Sequence, residues 1–217
     1  CASNNALFHS DTVQTIGHYN LDLSKIKIDF ITCSAHKFHG PKGVGFVYVK
    51  SGTNLLPLIE GGSQERGFRG GTESIHNIVG LKAAFQSSYD FLEKDSKKVF
   101  KIKEHFINSI QTSIPNIKIN GCSSKNDSSY AILNICLPVS VEKKALLNFK
   151  LDLAGIACSG GSACQSGSSK PSHVLSEILS SADMKNISLR FSFSKFNSIE
   201  EVDYVVDFLK KFVSENN

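Results

Sequence analysis

Short and long hydrophobic periods alternate along the chain. Residues 6–10 (ALFHS), 28–33 (IDFITC) and 44–49 (VGFVYV) are brief, largely apolar runs, and they read as strands. The first puts Leu7, His9 and Asp11 on one face. Between the second and third lies the turn-rich SAHKFHGPKG, with Gly40, Pro41 and Gly43. Helical spacing predicts a helix over 73–92 from Ile75, Ile78, Val79, Phe85, Tyr89 and Leu92, and another over 96–114 from Val99, Ile102, Phe106 and Ile110. Strands at 116–119 and 130–137 and a helix at 141–153 follow. Residues 159–170 (SGGSACQSGSSK) are small and polar, too poor in apolar area to hold themselves rigid, and read as a mobile loop. Pro171 suits the first helical position of PSHVLSEIL. Residues 186–193 (NISLRFSF) alternate as a strand. The last helix opens on a capping box, Ser198 to Glu201, and carries Val202, Val205, Val206, Leu209, Phe212 and Val213 on one stripe.

Strands and helices interleave throughout, so the class is α/β or α+β, with the helix pair near 73–114 marking the passage between two lobes. Composition narrows the function. Of 217 residues, 41% are hydrophobic and 20% charged, the profile of an ordinary globular chain. No apolar run approaches the roughly 18 residues that span a bilayer, and no secretory leader opens the sequence. The net charge of +4 is scattered, which argues against a nucleic-acid groove. Arg66, Arg69 and Arg190 are the three arginines, and so the candidates for a two-pronged grip on a carboxylate or phosphate. The chain begins at Cys1, and its one methionine is Met184, so the expectation is a piece of something longer. Six cysteines make no CxxC pair and no zinc spacing, so no metal site is expected. Free thiols in a reducing cytoplasm fit them best, with Cys33 and Cys136 buried in apolar strands.

Four groups carry candidate chemistry, and each has a plainer alternative. In His9-Ser10-Asp11 with Gln14, an inward carboxylate at a strand end calls for a partner such as a protonated heterocycle nitrogen. The plainer role for Asp11 is to cap a helical turn. In Ser34-Ala35-His36-Lys37, a lysine just past a buried strand becomes a nucleophilic amine able to form a Schiff base, unless it merely snorkels to the surface. The same residues match the Ser-x-x-Lys of acyl-enzymes, but no Ser-Asp-Asn follows, and Lys50-Ser51-Gly52 comes far too soon to be the third element. In Gln64 to Thr72, two arginines and a glycine pair lead into a helix, which suits an anion, or else Thr72 simply caps that helix. In Gly161-Ser162-Ala163-Cys164, a cysteine on a polar loop can ionise, react, and swing between a buried substrate and an outside acceptor.

Taken in order, His-x-Asp-x-x-Gln, Ser-x-His-Lys-x-x-Gly-Pro-Lys-Gly, Gln-Glu-x-x-x-Arg-x-Gly-Thr-Glu, Gly-Ser-Ala-Cys-x-Ser-Gly and Leu-Arg-Phe-Ser resemble the cysteine desulfurases, pyridoxal phosphate enzymes of the class V aminotransferase type, and among them the NifS/IscS-like branch. The resemblance covers about the second half of such an enzyme. It implies fold type I of the pyridoxal-phosphate-dependent transferases, with residues 1–92 as the C-terminal part of the large mixed-sheet domain and 93–217 as the small α+β domain. It implies that Asp11 holds the pyridine nitrogen protonated and that Gln14 bonds the phenolic oxygen of pyridoxal 5'-phosphate. Ser34 and His36 hold the phosphate, and Lys37 anchors the aldehyde and then acts as base. Thr72 reaches the phosphate of a neighbouring subunit, which makes the working unit a homodimer. Arg190 clamps the carboxylate of L-cysteine. Cys164 takes the sulfur as a persulfide, leaving alanine, and hands it to an acceptor such as an iron–sulfur scaffold. Neither nucleic acid nor membrane is an expected partner. Ala35 stands where the family often has glycine, and Cys158 is an extra thiol, expected to fill a strand. The alternatives are a selenocysteine lyase, another class V aminotransferase, or a non-catalytic fragment serving only dimerisation or acceptor binding.

Overall fold

The computed structural model describes residues 1–123, 127–160 and 172–216. The chain divides into two compact units, Cys1–Glu93 and Lys94–Asn217.

In the first unit, β1 (His9–Asp11) pairs in parallel with β2 (Phe30–Ser34), and β2 pairs antiparallel with β3 (Gly45–Val49). β1 is shorter and later than the 6–10 expectation, because Leu7 remains exposed and Phe8 turns its carbonyl to Asp29 and Phe30. A parallel pair needs a crossover, which is commonly a helix. Here residues 12–29 cross over as turns, pinned by the burial of Ile16 and Ile28. Ile31 and Cys33 of β2, with Ala35 and Phe38 beyond it, complete a small core.

Helix α1 (Ile75–Asp90) closes over this core, and of the residues its apolar spacing suggests Phe85 does so while Ile75 and Val79 do not. Its contact stripe is Gly80, Leu81, Ala84, Phe85 and Ser88, successive positions on one face. A Cβ on Gly80 would meet Pro41 at 2.6 Å, and Ala84 faces Gly40, so small side chains let the turn after β2 lie close. Phe85 fills the remaining gap edge-on to Phe38 and Phe46. Ile75 and Val79 lie off that stripe and stay 64% and 61% exposed.

The boundary between the units falls in the first turn of α2 (Leu92–Ser113). In the second unit an antiparallel sheet of β4 (Lys118–Ile119), β5 (Ile132–Ser140) and β6 (Asn186–Ser192) takes α2, α3 (Lys144–Leu153) and α5 (Ile199–Asn216) into one core. β5 buries Leu133, Ile135, Leu137 and Val139 on one face, while its other face is largely half-buried apart from the buried Cys136. Pro138 falls where the β5–β6 register shifts, the position at which a ladder tolerates a missing N–H. The capping box at 198–201 forms as expected: Glu201 N–H donates to Ser198 Oγ and Ser198 N–H to a Glu201 carboxylate oxygen. Ahead of α4 (His173–Ile178) the N-cap is Ser172, whose hydroxyl accepts the Leu175 N–H. The expectation of Pro171 as first helical residue lies outside the described residues.

Candidate active site

Asp11 ends β1 and lies opposite Thr32 of β2, with Ser34 two residues further along the same face. The strands are parallel, so Asp11 and the Ala35–Phe38 turn that follows β2 leave the same, carboxyl end of the sheet. Open sheets bind their ligands at that end. One Asp11 oxygen accepts the Val13 N–H at 2.9 Å, closing a short turn. The plainer capping role is thus real for that oxygen, while the other has no hydrogen bond or ion pair among the described residues. Asp11 is exposed rather than inward-facing. Gln14 and His36 are also exposed, and Ser34 is half-buried.

Lys37 occupies the single turn Ala35–Phe38, whose two ends are fixed differently. Ala35 is 0% exposed, and its N–H donates to the Val44 carbonyl. At the far end Gly40 N–H returns to the Ala35 carbonyl at 2.9 Å. A Cβ on Gly40 would come within 2.8 Å of the Ala35 Cβ, so glycine is required there. The Lys37 side chain leaves this turn half-buried, and its ammonium has no hydrogen-bond or ion-pair partner among the described residues. No hydrogen bond joins it to Ser34 Oγ, the contact an acyl-enzyme pair needs.

Thr72 is exposed and lies three residues before α1, whose N-cap is Ser74. The expectation that Thr72 caps this helix is therefore corrected. Upstream, Glu65 and Arg66 both take left-handed backbone conformations, and the Gln64 side-chain oxygen accepts the Gly71 N–H at 3.2 Å.

In the second unit Arg190 lies on β6, and its Nε is buried with no hydrogen-bond partner among the described residues. A buried guanidinium N–H left this way is costly unless an anion completes it. Ser159 and Arg190 exchange two backbone hydrogen bonds, at 3.0 and 2.7 Å. Lys144 Nζ donates to the Gly160 carbonyl at 2.7 Å. Both contacts hold the start of the expected 159–170 loop, and neither has a signal in the sequence. Cys164 and the remainder of that loop lie outside the described residues. Cys158 belongs to no strand: it is packed beside the core one residue ahead of the Ser159 bridge, and burial pushes its thiol up to about 11. Cys33 is likewise pushed up to about 11, first by burial, and Cys136 upward by the same cause.

The aminotransferase class-V family model matches residues 1–205. The chain belongs to that family. A cysteine desulfurase IscS of Clostridium botulinum is 39% identical over 99% of this chain and 54% of its own length. The human cysteine desulfurase is 37% identical over 95% of this chain and 44% of its own. Among solved structures, a NifS-like protein superposes with a TM-score of 0.82 at 31% identity, covering 98% of this chain and 53% of that one. The chain thus spans about half the length of the relatives it matches. This class-V chain has fold type I of the pyridoxal-phosphate-dependent transferases, in mixed α/β form. Among the described residues, no helix is long and apolar enough to cross a membrane, and no three His, Cys, Asp or Glu residues group as a metal site.

The residues present fit pyridoxal 5'-phosphate and an amino-acid substrate. A cationic ring nitrogen calls for a free carboxylate oxygen, an aldehyde for an unpaired amine, and a substrate carboxylate for an unsatisfied guanidinium. Asp11, Lys37 and Arg190 each leave that atom without a partner among the described residues.

Proposed function

We propose that the protein is a pyridoxal-phosphate-dependent cysteine desulfurase. It takes sulfur from L-cysteine, leaves L-alanine, and carries the sulfur as a persulfide on Cys164. The observation that supports this most is the pairing of Asp11 and Lys37 beyond the ends of adjacent parallel strands, each with its reactive atom unpartnered among the described residues. The cofactor, when bound, supplies an electron-withdrawing ring that stabilises negative charge at the substrate α-carbon.

The chain's own residues do the rest. The free Asp11 oxygen accepts a hydrogen bond from the ring N–H and so keeps the ring cationic. Gln14 donates to the phenolic oxygen, and Ser34 and His36 to the phosphate. Thr72 serves the phosphate of a second subunit in a homodimer. Lys37 Nζ would hold the aldehyde and take the substrate α-proton. Arg190 accepts the substrate carboxylate in its fork. The Cys164 thiolate attacks the substrate sulfur. The Cβ–S bond breaks, its electron pair stays on carbon and is protonated, and the new S–S bond remains on the enzyme. L-cysteine plus thiol thus becomes L-alanine plus persulfide, with no outside oxidant or reductant. An acceptor protein, such as an iron–sulfur scaffold, takes the sulfur onward. Five thiols free of disulfides among the described residues suit a reducing cytoplasm.

The test uses the full-length protein. Cys164→Ser is expected to keep the cofactor's visible absorbance and to lose release of sulfide from L-cysteine. Sulfide formation at the parent rate in that variant removes Cys164 from the reaction.

A further inference from the structure

We propose that His18 is a positioning residue for Lys37, an inference that rests on the reading of Lys37 as the cofactor's anchor. The segment after β1 and the turn after β2 meet at two adjacent points. His18 Nε2 lies 2.9 Å from the Lys37 carbonyl oxygen. A carbonyl only accepts, so Nε2 carries the hydrogen and donates it. One residue earlier, Gly17 is buried in a left-handed conformation, φ +78, and a Cβ there would come within 2.6 Å of the Phe38 Cβ. The backbone at 17 therefore lies directly against the residue after Lys37, and only glycine permits that approach.

The same segment is anchored at its other end beside Asp11. Asp11 accepts the Val13 N–H, and Thr12 donates to the Thr32 carbonyl through both its N–H and its hydroxyl, at 3.0 and 2.7 Å. One stretch, residues 11–18, thus carries Asp11 and Gln14 at its start and grips the backbone of Lys37 at its end. The turn is also backed by Gly80, Ala84 and Phe85 of α1. Lys37 is a long side chain whose tip has no partner among the described residues, so the direction it takes is set at its root. A hydrogen bond on its own carbonyl fixes that root relative to Asp11, the residue that sets the far end of the ring. Holding two reacting groups at a fixed separation is what makes an amine capture a bound aldehyde quickly.

The experiment follows capture itself in the full-length protein. Cofactor-free protein is mixed with pyridoxal 5'-phosphate, trapped with borohydride at timed intervals, and the Lys37 peptide is quantified by mass spectrometry. His18→Leu removes the donor. In His18→Asn the amide reaches only as far as Nδ1, and in His18→Gln it reaches the place of Nε2. Leu and Asn are expected to slow Lys37 labelling about fivefold, the weight of one net hydrogen bond, and Gln to restore it to within about twofold. A residue that merely fills space does not separate Gln from Asn. If His18→Leu does not fold, the Asn and Gln pair decides. Labelling at the parent rate in Leu and Asn, or slowed equally in Asn and Gln, overturns the inference while leaving Lys37 as anchor. Parent protein labelled on a lysine other than Lys37 overturns the reading beneath it.

Discussion

The two units solve the burial problem differently, and their helices show it. α5 places Val202, Val206, Leu209, Phe212 and Val213 in a core shared with the β4–β5–β6 sheet. α1, of similar length, has no buried residue. Its Ile75 and Val79 are exposed, as are Leu56 and Leu58 in the loop before it. The face α1 does use mixes the small Gly80, Ala84 and Ser88 with Leu81 and Phe85, and it packs the turn that carries Lys37. The second unit is organised around its own core. The first has a smaller core of Ile16, Ile28, Ile31, Cys33, Ala35 and Phe38 and leaves apolar surface of the kind that marks an interaction face. Apolar spacing alone does not say which of these two jobs a helix has.

Three measurements break or sharpen that contrast. The largest effect is expected at Leu209, which is fully buried: Leu209→Ala should cost about 2–5 kcal/mol in denaturant unfolding, while Val79→Ala changes stability by no more than about 0.5. A comparable loss at Val79 in the full-length protein would show that α1's outer face is covered there.

The next concerns Lys103, a lysine 1% exposed in the second unit's core, whose ammonium donates to Ser128 Oγ and the Ser129 carbonyl. Burial lowers its proton affinity below the ordinary lysine value of 10.5. Between that lowered value and 10.5 the unfolded chain holds a proton that the folded chain does not, so this group makes stability rise with pH in that window. Cys33 and Cys158, raised by burial, act in the opposite sense between 9.0 and about 11. The comparison is therefore parent against Lys103→Met. The parent is expected to gain on the variant as pH approaches 10.5, by at most about 1.4 kcal/mol per pH unit, and parallel curves would refute the shift. The smallest effect is at the capping box, where Ser198→Ala should cost about 1 kcal/mol, read as a modest fall in Tm.

Periodicity was a good guide where one face of an element is buried. The α5 stripe, the alternation of β6 and the buried apolar face of β5 all follow from it. It misled on α1 because Gly80, Ala84 and Ser88 do not register as a packing face, yet their smallness is what allows close approach. It overextended β1 because Leu7 is apolar but unburied. The residues of the candidate site were legible as motifs, and their family followed from the order of those motifs. The contacts that hold them were not legible. His18 on the Lys37 carbonyl, Ser159 on the Arg190 backbone and Lys144 on the Gly160 carbonyl all involve a main-chain group whose partner is distant in sequence.

The amino-acid sequence by itself determined which side chains are available, the order of strands and helices, and where the last helix starts, because these depend on local spacing and on side-chain chemistry. Only the tertiary structure decided that β1 and β2 run parallel, that Asp11 and Lys37 therefore leave the same end of the sheet, and that the Nε of Arg190 is buried without a partner among the described residues. Strand direction and the satisfaction of a buried donor depend on groups far apart in the chain, and no local pattern of residues records them.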